Sequence, residues 1–313
     1  MTPEIFIAIL GFILGITVLI FSSDRAVKHS IRIATMLGIS PFIVGLVLVS
    51  IGTDFPEIAN SVVSSALGHG DINAGDSFGS VLTQLTFVFG IMSLLNTGFE
   101  IKRKVIIVSG ICLILSLILS VSIAQQGYIS RLNALIMIAT WPVLILITKR
   151  LTKKDVKKKF VYQYKQNFRK DLIIAILGFV GVGIGSYMLI QSIIKLSTVF
   201  EVSEYLISFF IVSIGTSLPE LIVDLTAIRR KEFELAVGDI MGSCIIDATV
   251  SIGIGNLFFP NFISGRLAMI TGLYAIFASI IVMTILALRK KLDRRVGILF
   301  IFIYLFSFTM LSF

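Results

Sequence analysis

The sequence predicts an all-α polytopic membrane protein of ten transmembrane helices, arranged as two inverted five-helix repeats with interrupted helices 2, 3, 7 and 8. Three observations carry this. Of 313 residues, 56% are hydrophobic and 14% charged, against about 25% charged in an ordinary soluble chain. Apolar runs long enough to cross a bilayer recur along the whole length. One pair of polar motifs occurs twice, 163 residues apart. The composition excludes a soluble globular protein and a disordered one alike. The net charge of +9 does not require a nucleic-acid partner, because in so apolar a chain it is accounted for by loops facing the cytoplasm.

The first run, Ile5 to Phe21, follows Glu4 instead of a basic segment and is read as a span, not a cleavable signal. With it, the expected spans are 3–21, 39–67, 73–96, 104–124, 130–148, 171–195, 203–228, 233–258, 265–288 and 296–312. The second, third, seventh and eighth are long and carry Gly and polar residues mid-run, which suggests tilt or interruption. If the N-terminus is outside, 24 of the 27 Lys and Arg fall in inward loops, leaving Arg131, Lys195 and Arg266 outside. The positive-inside rule then puts both termini outside, as expected in a prokaryotic plasma membrane. The domains expected are residues 1–148 and 171–313, one repeat each, joined by a basic cytoplasmic linker, 149–170. Cys112 and Cys244 lie in apolar runs and form neither a disulfide framework nor a metal motif. His29 and His69 fall in loops.

Ser50-Ile-Gly-Thr-Asp-Phe-Pro-Glu57 aligns with Ser213-Ile-Gly-Thr-Ser-Leu-Pro-Glu220, and without a gap Gly75-Asp76-Ser-Phe-Gly79-Ser80 aligns with Gly238-Asp239-Ile-Met-Gly242-Ser243. From 50 to 90 there are 12 identities in 41 positions, and they are Gly, Thr, Pro, Glu, Asp and Ser as much as aliphatics. Chance likeness between greasy helices would not keep those types in register, so the chain contains a duplication. Five spans per copy is an odd number, so the second copy starts on the opposite side of the membrane. Inverted repeats with interrupted helices at the midplane are a transporter architecture. Pro56 and Pro219 each remove a helix hydrogen bond and are expected to free the carbonyls of Gly52 and Gly215.

Setting aside acids at span ends, such as Glu4, Glu204 and Glu234, seven acids fall within spans: Asp54, Glu57, Asp76, Glu220, Asp224, Asp239 and Asp247. No Lys or Arg lies at comparable depth. A carboxylate near the bilayer centre costs at least ~2.5–3.5 kcal/mol, so each needs a proton, a bound cation or a water-filled cavity. Glu57 and Glu220 stand beside freed carbonyls and the hydroxyls of Thr53 and Thr216, an all-oxygen set suited to Ca2+. Ser80 with Gln84, and Ser243 with Asp247, share a helix face at i and i+4 and are expected to line the same cavity. Asp76 and Asp239 also fit helix N-caps near the membrane surface. Ser and Thr in such helices commonly bond back to their own carbonyls.

The doubled G-T-x-x-P-E and G-[ND]-x-x-G-S signature resembles the α-repeats of the cation/Ca2+ antiporter superfamily, and within it the prokaryotic Na+/Ca2+ exchangers. The resemblance implies Ca2+/Na+ antiport with no cofactor, the transported ions and the lipid bilayer as partners, no protein partner and no enzymatic activity. It implies Glu57 and Glu220 as central Ca2+ ligands, assisted by the carbonyls of Thr53 and Thr216. Ser217, Ser80, Ser243 and the carbonyls of Ser50 and Ser213 are implied as Na+ ligands, with helices 1 and 6 sliding over the other eight. The chain departs from the pattern at Asp54, where Ser is usual, and at Gln84, where Asn is usual. The extra carboxylate of Asp54 leaves H+ open as the counter-ion. An intramembrane aspartyl protease fits poorly, since the acids come as duplicated Glu with Thr and Ser, and a passive channel fits a charged inverted-repeat midplane less well than antiport does.

Overall fold

The computed structural model describes residues 3–36, 50–95, 99–100, 103–152, 167–229, 233–289 and 291–311. The chain is helical almost throughout. Among the described residues, eight helices are long and apolar enough to cross a membrane. The first part of the second expected span and most of the 149–170 linker lie outside the described residues.

Helix α1 spans Pro3–Met36, well past the predicted end at Phe21. Hydropathy stops there because Ser22, Ser23, Asp24 and Arg25 follow, but nothing in that stretch breaks a helix. Helix α8 spans Phe168–Phe200 and is also longer than expected, ending where Glu201 turns left-handed at φ 55°. At 1.5 Å per residue each is about 50 Å long against a hydrocarbon core of about 30 Å. The two pack antiparallel on small residues. A Cβ on Gly15 would lie 2.8 Å from the Leu189 nitrogen, and one on Gly185 would lie 2.6 Å from that of Leu19. Gly11 opposes Ser192 just as Gly181 opposes Ser22. At one end of this pair His29 Nδ1 meets Asp171 Oδ1 at 2.5 Å, with Arg32 Nη1 at 3.4 Å.

Two helices are broken at matching residues. α2 (Ser50–Thr53) gives way at Asp54 to α3 (Phe55–Ala66), and Asp54 has φ −76°, ψ 4°. After α9 (Glu204–Ile207) and a π-helical turn, Ser208–Val212, α10 (Ser213–Thr216) gives way at Ser217 to α11 (Leu218–Arg229). Ser217 has φ −82°, ψ 7°, so both junctions sit in the sparsely populated bridge region. The predicted interruptions of helices 2 and 7 are present.

The predicted interruptions of helices 3 and 8 are not breaks. α4 (Gly70–Leu82) continues through a π-helical turn, Thr83–Val88, into α5 (Phe89–Leu95). α12 (Phe233–Ile246) continues through another, Asp247–Ser251, into α13 (Ile252–Phe258). The chain stays helical because neither stretch contains Pro; a widened turn re-aims side chains without ending the helix.

Around these run α6 (Arg103–Ala124), α7 (Arg131–Thr152), α14 (Gly265–Leu288) and α15 (Arg294–Leu311). Gly90 of α5 packs on Gly297 and Ile301 of α15, and Gly253 of α13 packs on Ala134 and Ile138 of α7. Two short antiparallel ribbons join the connections. β1 (Phe99–Glu100) pairs with β4 (Lys291–Leu292), and β2 (Tyr128–Ile129) with β3 (Asn261–Phe262). The main core lies where α4, α6, α12 and α14 meet, with Phe78, Leu82, Leu113, Ile240 and Ala275 fully buried.

Candidate cation site

The breaks at Asp54 and Ser217 aim two helix C-termini, those of α2 and α10, at the same region from which α3 and α11 begin. Carbonyl dipoles from the first pair and N–H dipoles from the second meet there. Glu57 and Glu220 occupy the first turns of α3 and α11. They lie within interacting range of one another. Each is at most 1% exposed, and neither carboxylate accepts a hydrogen bond among the described residues. Thr216 lies beside Glu57, and its hydroxyl has Asp76 Oδ1 at 3.0 Å and the Val212 carbonyl at 3.2 Å as nearer acceptors.

Other expected residues surround this pair. Thr53 and Thr216 are buried at the ends of α2 and α10. Asp54 is fully buried within range of Glu57 and Asp239, with the Ser243 hydroxyl beside it. The hydroxyls of Ser80, Ser217 and Ser243 are buried, that of Ser80 beside Asp76 and that of Ser243 beside Asp54. Ser213 is committed to the scaffold: its hydroxyl donates to the Phe209 carbonyl at 2.6 Å and meets Thr83 at 3.2 Å, and its carbonyl accepts the Ser217 N–H at 3.2 Å. That N–H also turns toward the Gly215 carbonyl, which is therefore less free than the proline rule alone predicts. Ser50 starts α2, and its side chain lies outside the described residues.

Gln84 and Asp247, matched positions of the two repeats, touch each other: Gln84 Nε2 donates to Asp247 Oδ2 at 3.0 Å. Ser251 donates to Asp247 Oδ1 at 3.1 Å. Asp247 thus has a donor on each oxygen, unlike the two glutamates. The π-helical turns bring this pair together, since Gln84 lies within one and Asp247 opens the other. Cys244 adds a thiol at 3.3 Å from Gln84 Oε1.

Asp76 corrects the surface N-cap reading. It is buried in the middle of α4 and accepts Asn60 Nδ2 at 2.6 Å as well as Thr216. Asp239, its counterpart, is 7% exposed in the interior of α12 and faces Asp224. Asn60 was invisible to repeat matching because Val223 stands at the matched position; its signal was a polar side chain at i+3 from Glu57. Among the described residues no three His, Cys, Asp or Glu side chains are grouped so as to hold a metal ion by themselves. A cation here would take hydroxyl and carbonyl oxygens alongside the two glutamates.

Comparison with known proteins decides the family. The profile described as sodium/calcium exchanger protein matches residues 7–149 and 170–313. The chain belongs to this family. It is an integral membrane transporter of a family of cation/Ca2+ exchangers. An uncharacterized membrane protein of Methanocaldococcus jannaschii is 28% identical, covering 96% of each chain. The sodium/calcium exchanger MaX1 of Methanosarcina acetivorans is 24% identical, covering 93% of this chain and 95% of its own. A solved structure of the sodium-calcium exchanger NCX_Mj, soaked with Na+ and Sr2+, shares the fold at a TM-score of 0.62 and 24% identity, covering 97% of this chain and 98% of that one. Within this exchanger family, the chain's own departures at Asp54 and Gln84 sit inside the buried polar cluster.

Proposed function

We propose that the chain exchanges Ca2+ for Na+ by alternating access to a midplane site centred on Glu57 and Glu220. The observation that carries this reading is the pair of buried glutamates, without base or donor, at two matching helix breaks. Two carboxylates supply the charge, and the carbonyls of Thr53 and Thr216 at the ends of α2 and α10 add hard oxygens in the flexible arrangement Ca2+ accepts. Na+ would use overlapping oxygens, those of Ser80, Ser217 and Ser243 and the carbonyls of Ser50 and Ser213, with Asp247 and Gln84 closing the cavity. Overlap makes the ions compete, and competition couples their fluxes.

Ten spans in two inverted repeats are part of the same reading, with residues 1–148 and 171–313 as the two copies and 149–170 between them. Supporting contacts come in matched pairs: Gly90 with Ile301 and Gly253 with Ile138 differ by 163 on both members, and Gly15 with Leu189 and Gly185 with Leu19 differ by 170. The alternation of ten spans is supported independently by four contacts between residues at span ends or in connections assigned to the same side. These are His29 with Asp171, His69 with Glu204, β1 with β4, and β2 with β3. With 24 of 27 basic residues in inward loops, both termini face outward and the linker is cytoplasmic. The antiparallel α1 and α8 pair, packed on glycines, would move as one body against the rest.

Asp54 favours a second reading, H+/Ca2+ exchange, because it adds a buried carboxylate where the matched position is Ser217. Proteoliposomes loaded with radioactive Ca2+ separate the two. An imposed Na+ gradient drives Ca2+ movement if Na+ is the counter-ion; movement driven by a pH gradient alone transfers the assignment to H+. Flux unchanged in Glu57→Gln and Glu220→Gln overturns both.

A further inference from the structure

The two repeats place an aspartate at matched positions, Asp76 and Asp239, but surround them differently. Asp76 has donors on both oxygens, from Asn60 and Thr216. Asp239 instead faces a second carboxylate, Asp224. Apart from their contact with each other, neither Asp224 oxygen nor Asp239 Oδ2 has a hydrogen-bond partner, and neither residue is paired with a base, among the described residues. Asp224 is 0% exposed, a burial at which an unmatched carboxylate is costly. The matched positions explain the asymmetry: Asp224 stands where repeat 1 has Ser61, and Asn60 stands where repeat 2 has Val223.

The pair is off-centre. Asp224 is one turn beyond Glu220, about 6 Å further along α11 toward the 230–232 connection. Asp239 lies six residues, about 9 Å, into α12 from that same connection. Asp54 lies within range of both aspartates and both glutamates, beside the fully buried hydroxyl of Ser243. From the 230–232 connection inward, buried oxygens with no basic partner therefore run from Asp239 and Asp224 through Ser243 and Asp54 to Glu220 and Glu57. The opposite approach presents Asp76 already satisfied by an amide and a hydroxyl.

We infer that Asp224 and Asp239 form a second divalent-cation site, a waiting station between the central glutamates and the membrane face carrying the 230–232 connection. Two carboxylates offer two negative charges and up to four ligand oxygens, so a Ca2+ ion held there would keep part of its water shell and bind more weakly than at the centre. An ion entering from that face would be captured before reaching the central site, whereas one entering from the other face would not. The inference rests on the reading of Glu57 and Glu220 as the central site.

Equilibrium binding of radioactive Ca2+ to the purified full-length protein in Na+-free detergent solution tests it. Wild type is expected to bind two ions, one tight and one weaker. Asp224→Asn, Asp224→Ser and Asp239→Asn should keep the tight ion, which also reports that they are folded, and weaken the second at least tenfold. Glu57→Gln with Glu220→Gln should lose the tight ion and keep the weaker. A single ion in wild type, or a second ion that persists unweakened in all three aspartate variants, overturns the station. A tight ion that survives in the double glutamate variant overturns the central reading instead. If Asp224→Asn binds nothing, Asp224→Ser and Asp239→Asn decide the matter.

Discussion

Replacing Glu220 by Gln separates a cation ligand from a structural acid, because the two roles predict opposite signs in ion-free solution. Glu220 is fully buried and neither oxygen has a donor. Holding a carboxylate near the bilayer centre costs ~2.5–3.5 kcal/mol or more, so removing the charge without changing the shape should leave the ion-free melting temperature unchanged or raised. With Ca2+ the balance reverses. Removing one member of a buried opposite-charge contact costs about 2–5 kcal/mol, which is roughly a 30- to 5,000-fold rise in the Ca2+ half-saturation concentration. Wild type at a hundredfold excess over its dissociation constant should gain about 2.7 kcal/mol of stability from Ca2+, and Glu220→Gln should gain at most about 0.9 kcal/mol at the same concentration. Proteoliposome Ca2+ uptake and thermal unfolding of the purified protein with and without Ca2+ read both effects. A half-saturation within threefold of wild type, or an ion-free melting temperature that drops while the Ca2+-induced rise persists, would refute the ligand role.

Asp54→Ser makes the first break match the second, where Ser217 stands; Na+-driven Ca2+ flux should persist while any flux driven by a pH gradient falls at least fivefold, measured in the same vesicles. Asn60→Ala removes the amide donor at 2.6 Å from Asp76 Oδ2 and should lower stability by about 1.5–3 kcal/mol, as expected for a hydrogen bond to a charged group, read by thermal unfolding without ions. Gly185→Ala puts a Cβ 2.6 Å from the Leu19 backbone nitrogen and should cost about 1–3 kcal/mol by overpacking the α1 and α8 crossing. Gly183→Ala, where nothing lies within 4 Å, is the control and should be neutral or stabilising by up to ~1 kcal/mol from helix propensity; equal losses from both would mean that the crossing is not a close contact.

Legibility in the sequence followed the physics of each feature. Apolar length and the Gly-Thr-x-x-Pro-Glu segments announced membrane helices and two breaks, because hydropathy and proline act locally. The extra turns of α1 were hidden, since Ser22 and Ala26 are polar or small for a reason no hydropathy window sees: they sit under Gly181 and Gly178 of α8. The π-helical turns left no local trace, because a register change of one residue requires neither Gly nor Pro. Asp76 looked like a cap because the span was expected to start at residue 73, yet α4 begins at Gly70, and Asp71 serves a different helix by accepting the Ser264 N–H and hydroxyl at the start of α14. Asn60 escaped because repeat matching finds what the copies share, and what it does for Asp76 is what they do not share.

The Gln84 and Asp247 pair shows why such asymmetry concentrates where it does. In the proposed inverted-repeat arrangement, two matched residues that touch must lie on the axis relating the copies, so each is the other's neighbour. Identical residues there would be poor partners: two aspartates would repel, and two glutamines would bring no charge. One carboxylate and one amide instead form a 3.0 Å hydrogen bond and leave one negative charge. A duplicated chain therefore gains most by diverging first at positions where its copies meet. Gln84 against Asp247 is a divergence of this kind; Asn60 against Val223 is a divergence within one copy, since Asn60 serves Asp76 of its own repeat. They make the two approaches to the glutamates chemically unequal, so that an ion arriving from one face meets different groups from an ion arriving from the other.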